Sequence, residues 1–371
     1  MKRSILLFIV CCILSSLYAY DFEVNKIRYK ILSQEKKTVE IELAKNTYSN
    51  DEIPSFIEYK NQKYTITSIG DYAFSYISIF KIKIPDSVIK IGRGAFENSS
   101  SLDSVCFGKN IQTIGEEAFI NCPKLTSVIL GDSVKTIGSR AFSDCKKIVH
   151  LRLSKSLKTI KYKTFYNCIN ISSITIPDSV TTIESYAFYN CLYTKHLTLG
   201  SSLKIIRDNA FRDMCNIEGW VVMPASIEST ESLCFANCGA KGFIFTSQNV
   251  PDIDIDSFNS AYNKITIIYV PEQFLQSYID TWLYPREKSG AQYTSTTGLD
   301  GKKGYYGYLT CTCIIGYDNY DELIKYITGI KNPSINNDNV KKDKVYKISG
   351  HIVNKPSKGI NIINGNKVLI K

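Results

Sequence analysis

Twelve cysteines and three histidines are the first candidates for chemistry in this 371-residue sequence. Cys11 and Cys12 lie in an apolar N-terminal run, which leaves Cys106, Cys122, Cys145, Cys168, Cys191, Cys215, Cys234, Cys238, Cys311 and Cys313. An even number of thiols in an exported chain invites a disulfide framework. Five of them, however, recur at one position of a repeat: Cys122, Cys145, Cys168, Cys191 and Cys238. An inward-facing column uses cysteine as a small apolar residue, and the parallel side-chain vectors of neighbouring coils do not favour a bridge. Buried free thiols are therefore expected. Zinc needs ligands gathered around one centre, which a linear column does not offer. Cys311 and Cys313 read as two strand residues on one face.

His150 and His196 occupy equivalent repeat positions two coils apart, about 10 Å at ordinary strand spacing. That is too far for one metal or one proton relay, and surface positions are expected for both and for His351. The sequence holds no Gly-x-Ser-x-Gly elbow, phosphate-cradling glycine loop or His-Glu-x-x-His pair. Adjacent Glu116 and Glu117 fall in a variable turn and read as solvated charges, not as the facing carboxylates of a glycosidase. No catalytic, cofactor-binding or metal-binding residue is assigned, and no cofactor is implied.

What positions these side chains is a repeat. A small residue followed by Phe recurs at Phe74, Phe96, Phe119, Phe142, Phe165, Phe188, Phe211, Phe235 and Phe258, spaced by 22 to 24 residues. Such a register over nine units marks a solenoid. Five residues before the Phe stands Ile69, Ile91, Ile114, Ile137, Ile160, Ile183, Ile206 and, after Thr230, Ile253. Earlier in each unit an apolar alternation, such as Ile82/Ile84, Val128/Leu130 or Ile174/Ile176, predicts a short strand with one buried face. Turn residues such as Pro85-Asp86-Ser87 close it. The Ala-Phe segment that follows is expected to be a short helical turn.

The fold class expected is thus a β-rich repeat solenoid of about nine 22–24-residue coils with short helical turns. One coil cannot bury its own apolar side, but stacking sets Ile on Ile and Phe on Phe. An elongated array is expected, not a globule around a central pocket. The formal charge of +10 is concentrated at the ends: residues 331–371 carry +7 and Lys2 with Arg3 carry +2, leaving +1 for residues 4–330. A near-neutral body argues against nucleic acid as a partner.

These columns resemble the BspA-like leucine-rich-repeat family. The resemblance is carried by units of the form Ser173-Ile174-Thr175-Ile176-Pro177, then Ser179-Val180, Ile183, Ala187-Phe188 and Asn190-Cys191, over about residues 64–285. Ile267-Ile268-Tyr269-Val270-Pro271 with Tyr278 and Trp282 looks like the closing segment of such arrays. The resemblance implies a non-catalytic surface protein with a role in adhesion.

The ends complete the plan. Residues 1–19 read as a signal peptide: Lys2 and Arg3, an apolar run from Ile5 to Leu14, and small residues leading to a cut after Ala19. The run is too short to span a bilayer comfortably, and no transmembrane segment is expected in the mature chain. Residues 20–63 alternate without the Ala-Phe register and suggest a strand-rich N-terminal cap. Residues 286–340 are an irregular segment and linker, with a possible short helix from Asp321 to Ile327. Residues 341–371 resemble the short C-terminal sorting tail of exported Bacteroidetes-type proteins, and Asn364-Gly365 marks a hairpin turn. The expected location is secreted or at the cell surface.

Side chains alternating with the buried strand residues should point outward. They form one row of Lys81, Ser104, Ser127, His150, Ser173 and His196, and a second of Lys83, Cys106, Ile129, Arg152, Thr175 and Thr198. Lys81, Lys83, Ser127, Ile129, His150, Arg152, Ser173, Thr175, His196 and Thr198 are the candidate partner-binding residues. Rows of this kind suit shallow contact with an extracellular protein or glycan. The face of Trp220 is ambiguous because its coil has 24 residues. Adhesion is the leading expectation, a structural spacer the alternative and a secreted hydrolase the remote one.

Overall fold

The computed structural model describes residues 20–44, 51–258 and 266–282, with short segments beyond, chiefly strands between 294 and 317 and between 359 and 370. Residues 1–19, where a signal peptide is expected, lie outside the described residues. The chain divides into two units at Ile171/Ser172.

In the first unit five strands precede the coils: β1 (Phe22–Val24), β2 (Ile27–Ser33), β3 (Thr38–Ala44), β4 (Phe56–Tyr59) and β5 (Gln62–Ile69). β1, β2 and β3 form an antiparallel meander, β3 pairs β5 in parallel, and β4 folds back on β5. The coils then alternate three-residue and two-residue strands: β6 (Lys81–Lys83), β7 (Lys90–Ile91), β8 (Ser104–Cys106), β9 (Thr113–Ile114), β10 (Ser127–Ile129), β11 (Thr136–Ile137), β12 (His150–Arg152) and β13 (Thr159–Ile160). The two-residue strands extend the N-terminal sheet in the order β5-β7-β9-β11, all parallel. Among the three-residue strands, β6 pairs β8 and β10 pairs β12. The N-terminal strands therefore do what a cap must, giving the edge of the ladder a hydrogen-bonding partner.

The third side of each coil departs from expectation. From Phe74 to Phe235 these segments are tight turns, not helical ones, and only the last, Ser257-Phe258, lies in a short 3-10 helix (Ile255–Phe258). From Phe74 to Phe235 the residues two before and two after the Phe sit in the left-handed region, as at Glu117 (φ 56°) and Asn121 (φ 54°) around Phe119. Left-handed residues interrupt a right-handed helix and turn the amides toward the next coil. Phe74 N donates to Ala95 O at 2.7 Å, Phe96 N to Ala118 O at 2.7 Å and Phe119 N to Ala141 O at 2.8 Å. The turn is thus a third hydrogen-bonded ladder.

The core follows the columns read from sequence. Phe74, Phe96, Phe119, Phe142 and Phe165 are fully buried and stack with centroids 4.9–5.4 Å apart, nearly parallel. Each such side chain contributes roughly 1.5–3 kcal/mol of apolar burial. Cys122, Cys145 and Cys168 are buried free thiols, as expected.

The second unit repeats the design with β14 (Ser173–Thr175), β15 (Thr182–Ile183), β16 (His196–Thr198), β17 (Ile205–Ile206), β18 (Trp220–Met223), β19 (Ser229–Thr230), β20 (Gly242–Phe245), β21 (Asp252–Ile253) and β22 (Thr266–Pro271). Phe188, Phe211, Phe235 and Phe258 stack in its core. Helix α1 (Leu275–Trp282) buries Tyr278, whose hydroxyl donates to Ser247 O at 2.9 Å. After an antiparallel pair, β23 (Thr294–Thr297) and β24 (Lys303–Tyr306), strand β25 (Thr312–Tyr317) adds in parallel to β22. The stretch without repeat signal thus supplies one more ladder strand. Asp321 and Leu323 carry helical backbone, while the rest of the expected helix lies outside the described residues. Near the C-terminus β26 (Gly359–Ile363) and β27 (Asn366–Ile370) pair as the hairpin expected around Asn364-Gly365.

Candidate functional site

The outward rows exist within each unit. Lys81, His150, Lys83, Cys106, Ile129 and Arg152 are exposed in the first unit, with Ser104 and Ser127 half-buried. Ser173, Thr175, His196 and Thr198 are exposed in the second. The parallel registers set Lys81 beside Ser104, Ser127 beside His150, Ile129 beside Arg152, and Ser173 beside His196. The inward partners Ile82, Val105, Val128, Ile174 and Leu197 are buried, and Leu151 is half-buried. Strand period and packing together hold the rows on a stiff support.

Two of the charged candidates are already engaged. Lys83 Nζ lies 2.8 Å from Glu52, and the backbone of residues 51–53 adds to the edge of β6 through Lys83 N to Asp51 O and Ile53 N to Lys83 O. The pairing with Glu52 holds the ammonium pKa above its ordinary value. Arg152 reaches back one coil to donate to Leu130 O and to the Asp132 carboxylate at 3.3 Å. Ile129, 48% exposed beside Arg152, is then the largest apolar group offered by the first unit's rows.

Trp220 is half-buried on the outward face of β18, since its neighbours Val221 and Met223 point inward. It pairs with Gly242 across the ladder and packs on Tyr269, with ring centroids 5.1 Å apart. The outward residues Ile244 and Tyr269 are themselves buried. The exposed rows of the second unit therefore end at β16.

A sequence signal left unread concerns the position two after each Phe. Asn98, Asn121, Asp144 and Asn167 hold left-handed backbone there, and their side chains form a ladder: Asn121 Nδ2 donates to Asn98 Oδ1, and Asn167 Nδ2 to Asp144 Oδ1, both at 2.7 Å. Asparagine and aspartate tolerate this conformation better than most residues, so their recurrence is a legible turn signal. The ladder braces the coils; it offers no reacting group.

Among the described residues no cluster of three or more His, Cys, Asp or Glu side chains could hold a metal ion. None of their helices is long and apolar enough to cross a membrane.

The BspA type Leucine rich repeat region family matches residues 67–191 and 158–281, with six copies of the repeat. The chain belongs to this family. None of the curated proteins matches it. Among solved structures, this BspA-type array is similar to a leucine-rich repeat protein from Bacteroides ovatus, with 24% identity, 68% of this chain and 71% of that one covered, and a TM-score of 0.49. It is also similar to the pneumococcal vaccine antigen PcpA, at 18% identity, with 71% and 96% covered and a TM-score of 0.42. A third is a leucine rich cell surface protein from Faecalibacterium prausnitzii, at 20% identity, with 68% and 88% covered and a TM-score of 0.42.

Proposed function

We propose that this BspA-type solenoid is a secreted or cell-surface, non-catalytic binding protein that adheres to host or neighbouring-cell macromolecules through its outward strand rows. The carrying observation is the regular outward alternation on β6, β8, β10 and β12, with exposed Ile129, His150 and Arg152 on a stiff backbone. Side chains fixed by a packed ladder lose little backbone entropy on contact, which favours an extended, shallow interface. Export with cleavage after Ala19, and a sorting role for the C-terminal hairpin, belong to the same reading.

The test is saturable binding of the full mature chain to extracellular-matrix proteins and epithelial surfaces. Replacing Ile129, His150 and Arg152 together should weaken binding about tenfold or more, as loss of a central apolar and arginine contact does. Saturable binding that survives this replacement would move the interface elsewhere. A folded chain that binds none of these surfaces would leave the spacer role.

A further inference from the structure

The outward strand rows are not the only side of the coils that presents ordered side chains. In the first unit the turn side carries Arg140, Tyr162, Lys163 and Tyr166. Arg140 N donates to Tyr162 O at 2.9 Å and Asp144 N to Tyr166 O at 2.8 Å, which fixes neighbouring coils in register. Lys163 holds left-handed backbone (φ 53°), and its ammonium lies 5.1 Å from the Tyr162 ring centroid and 4.8 Å from that of Tyr166. The Arg140 guanidinium lies 5.8 Å from Tyr162. Buried Thr164, Phe165 and Cys168 anchor the backbone beneath them. One carboxylate, Glu117, serves two arginines, Arg93 at 3.0 Å and Arg140 at 3.4 Å.

The second unit carries a related combination, in which Tyr189 is the counterpart of Tyr166, Tyr186 takes the place of Lys163 and the arginine stands one residue after its Phe. Tyr186 and Tyr189 lie 5.6 Å apart with their rings tilted by 53°. Tyr186 N donates to Asp208 O and Asn190 N to Arg212 O, so Arg212 stands on the neighbouring coil. Its Nη1 donates to Asn209 Oδ1 at 3.1 Å, while its buried Nε has no hydrogen-bond partner and lies 3.7 Å from Asp213.

We propose that these turn-side clusters are glycan-binding sites for sugars carrying a carboxylate or a sulfate ester. A tyrosine face carries negative potential and receives the polarised C–H face of a pyranose. The adjacent guanidinium and ammonium supply charge-assisted hydrogen bonds to its anionic substituent. Hydrogen bonding from Lys163, with a smaller contribution from Arg140, holds the Tyr162 phenol below its ordinary pKa, which places both cations at this ring. The near-neutral folded body gives little long-range pull on a polyanion, so recognition is local and depends on ring and cation together. This goes beyond the strand-row reading and uses none of its residues.

The experiment is calorimetric titration of the full chain with three hexasaccharides: heparin, hyaluronan and neutral maltohexaose. Binding of heparin or of both anionic chains, with none of maltohexaose, is expected. Hyaluronan binding identifies the carboxylate as sufficient, and heparin binding alone identifies the sulfate. Tyr162→Ala with Tyr166→Ala should lower affinity about tenfold. Lys163→Asn, which suits the left-handed backbone, should lower it several-fold and flatten its salt dependence. Tyr162→Phe with Tyr166→Phe should keep the binding, and with Lys163→Asn carries the test should the alanine pair misfold. Replacing His150 and Arg152 should leave glycan affinity unchanged, which separates this site from the strand rows. The proposal is overturned if neither anionic hexasaccharide binds, if maltohexaose binds equally well, or if correctly folded Lys163→Asn retains full affinity and salt dependence.

Discussion

Cys145 Sγ donates to the carbonyl oxygen of Phe119 at 3.0 Å, across 26 residues of sequence and one coil of the solenoid. Cys122 makes the same contact to Phe96 at 3.2 Å, and Cys168 to Phe142 at 3.0 Å. In the corresponding slot before them, Ser99 Oγ donates to Phe74 O at 3.1 Å. From Ser99 to Cys168 the column therefore holds small side chains with a donor, and these cysteines act as hydrogen-bonding core residues more than as reagents.

Thiol reactivity should divide accordingly. Burial pushes the Cys145 thiol well above its ordinary pKa, with Cys122 adding to the shift, and burial pushes Cys234 up to about 12. Thiolate is the nucleophile, so these groups should resist alkylation in the native protein. Maleimide followed by peptide mass spectrometry should find exposed Cys106 and Cys215 modified first, and Cys122, Cys145 and Cys168 only after denaturation. Equal labelling rates for Cys145 and Cys106 in the folded chain would contradict the buried column.

The glycines four before the Phe in the first unit lie hard against the backbone of the preceding coil. A Cβ on Gly138 would lie 2.3 Å from Glu116 N and 2.5 Å from Gly115 C, both backbone atoms that cannot swing aside. At Gly131 the nearest atom would be Lys109 O at 3.6 Å. Gly138→Ala should therefore cost about 2–3 kcal/mol through forced separation of coils. Gly131→Ala should change stability by less than about 0.5 kcal/mol. Urea midpoints of the two variants make the comparison, and similar midpoints would refute the close-approach argument.

The asparagine ladder separates two contributions. Asn121 combines a left-handed backbone (φ 54°) with the amide bond to Asn98. Asn121→Gly keeps the conformation and loses the hydrogen bond, an expected loss of about 0.5–1.5 kcal/mol. Asn121→Ala loses both and should be less stable by roughly a further 1 kcal/mol. Thermal melts that rank alanine above glycine would show that backbone strain is not what asparagine relieves.

The legibility of this structure follows burial. Phe, Ile and Cys recur because each stacks on its own kind, so the core columns could be read from spacing alone. The turn conformation is hidden in the sequence because the other left-handed position is occupied by Tyr72, Glu117, Arg140 and Lys163, which carry no turn signal. Closure of the coil and the amide ladder enforce that conformation. The covering of β6 by residues 51–53 was equally hidden, since Glu52 and Lys83 pair across a cap that has no repeat. Arg140, Tyr162, Lys163 and Tyr166 occupy positions that vary from coil to coil, where a search for columns finds nothing. The outward direction of the rows, set by strand alternation, is readable from the sequence, while the half-burial of Ser104 and Ser127 is not.

Acid should loosen the strand-closing turns first. Asp86 accepts the Lys109 amide at 2.8 Å and pairs with its ammonium at 2.9 Å, and Asp178 accepts the Ser201 amide at 2.7 Å. These bonds, the backbone amide foremost, hold both carboxyls below their ordinary pKa of 3.8. A depressed folded-state pKa stabilises the native protein above the unfolded value, and that contribution disappears as pH falls through the folded value. The window lies below about pH 4. Both carboxylates are solvent-exposed, so each effect should be small. Asp86→Asn should melt below the parent at pH 7 and converge with it near pH 2. A gap of constant size between pH 7 and pH 2 would show that the clasp does not depend on the charge of Asp86.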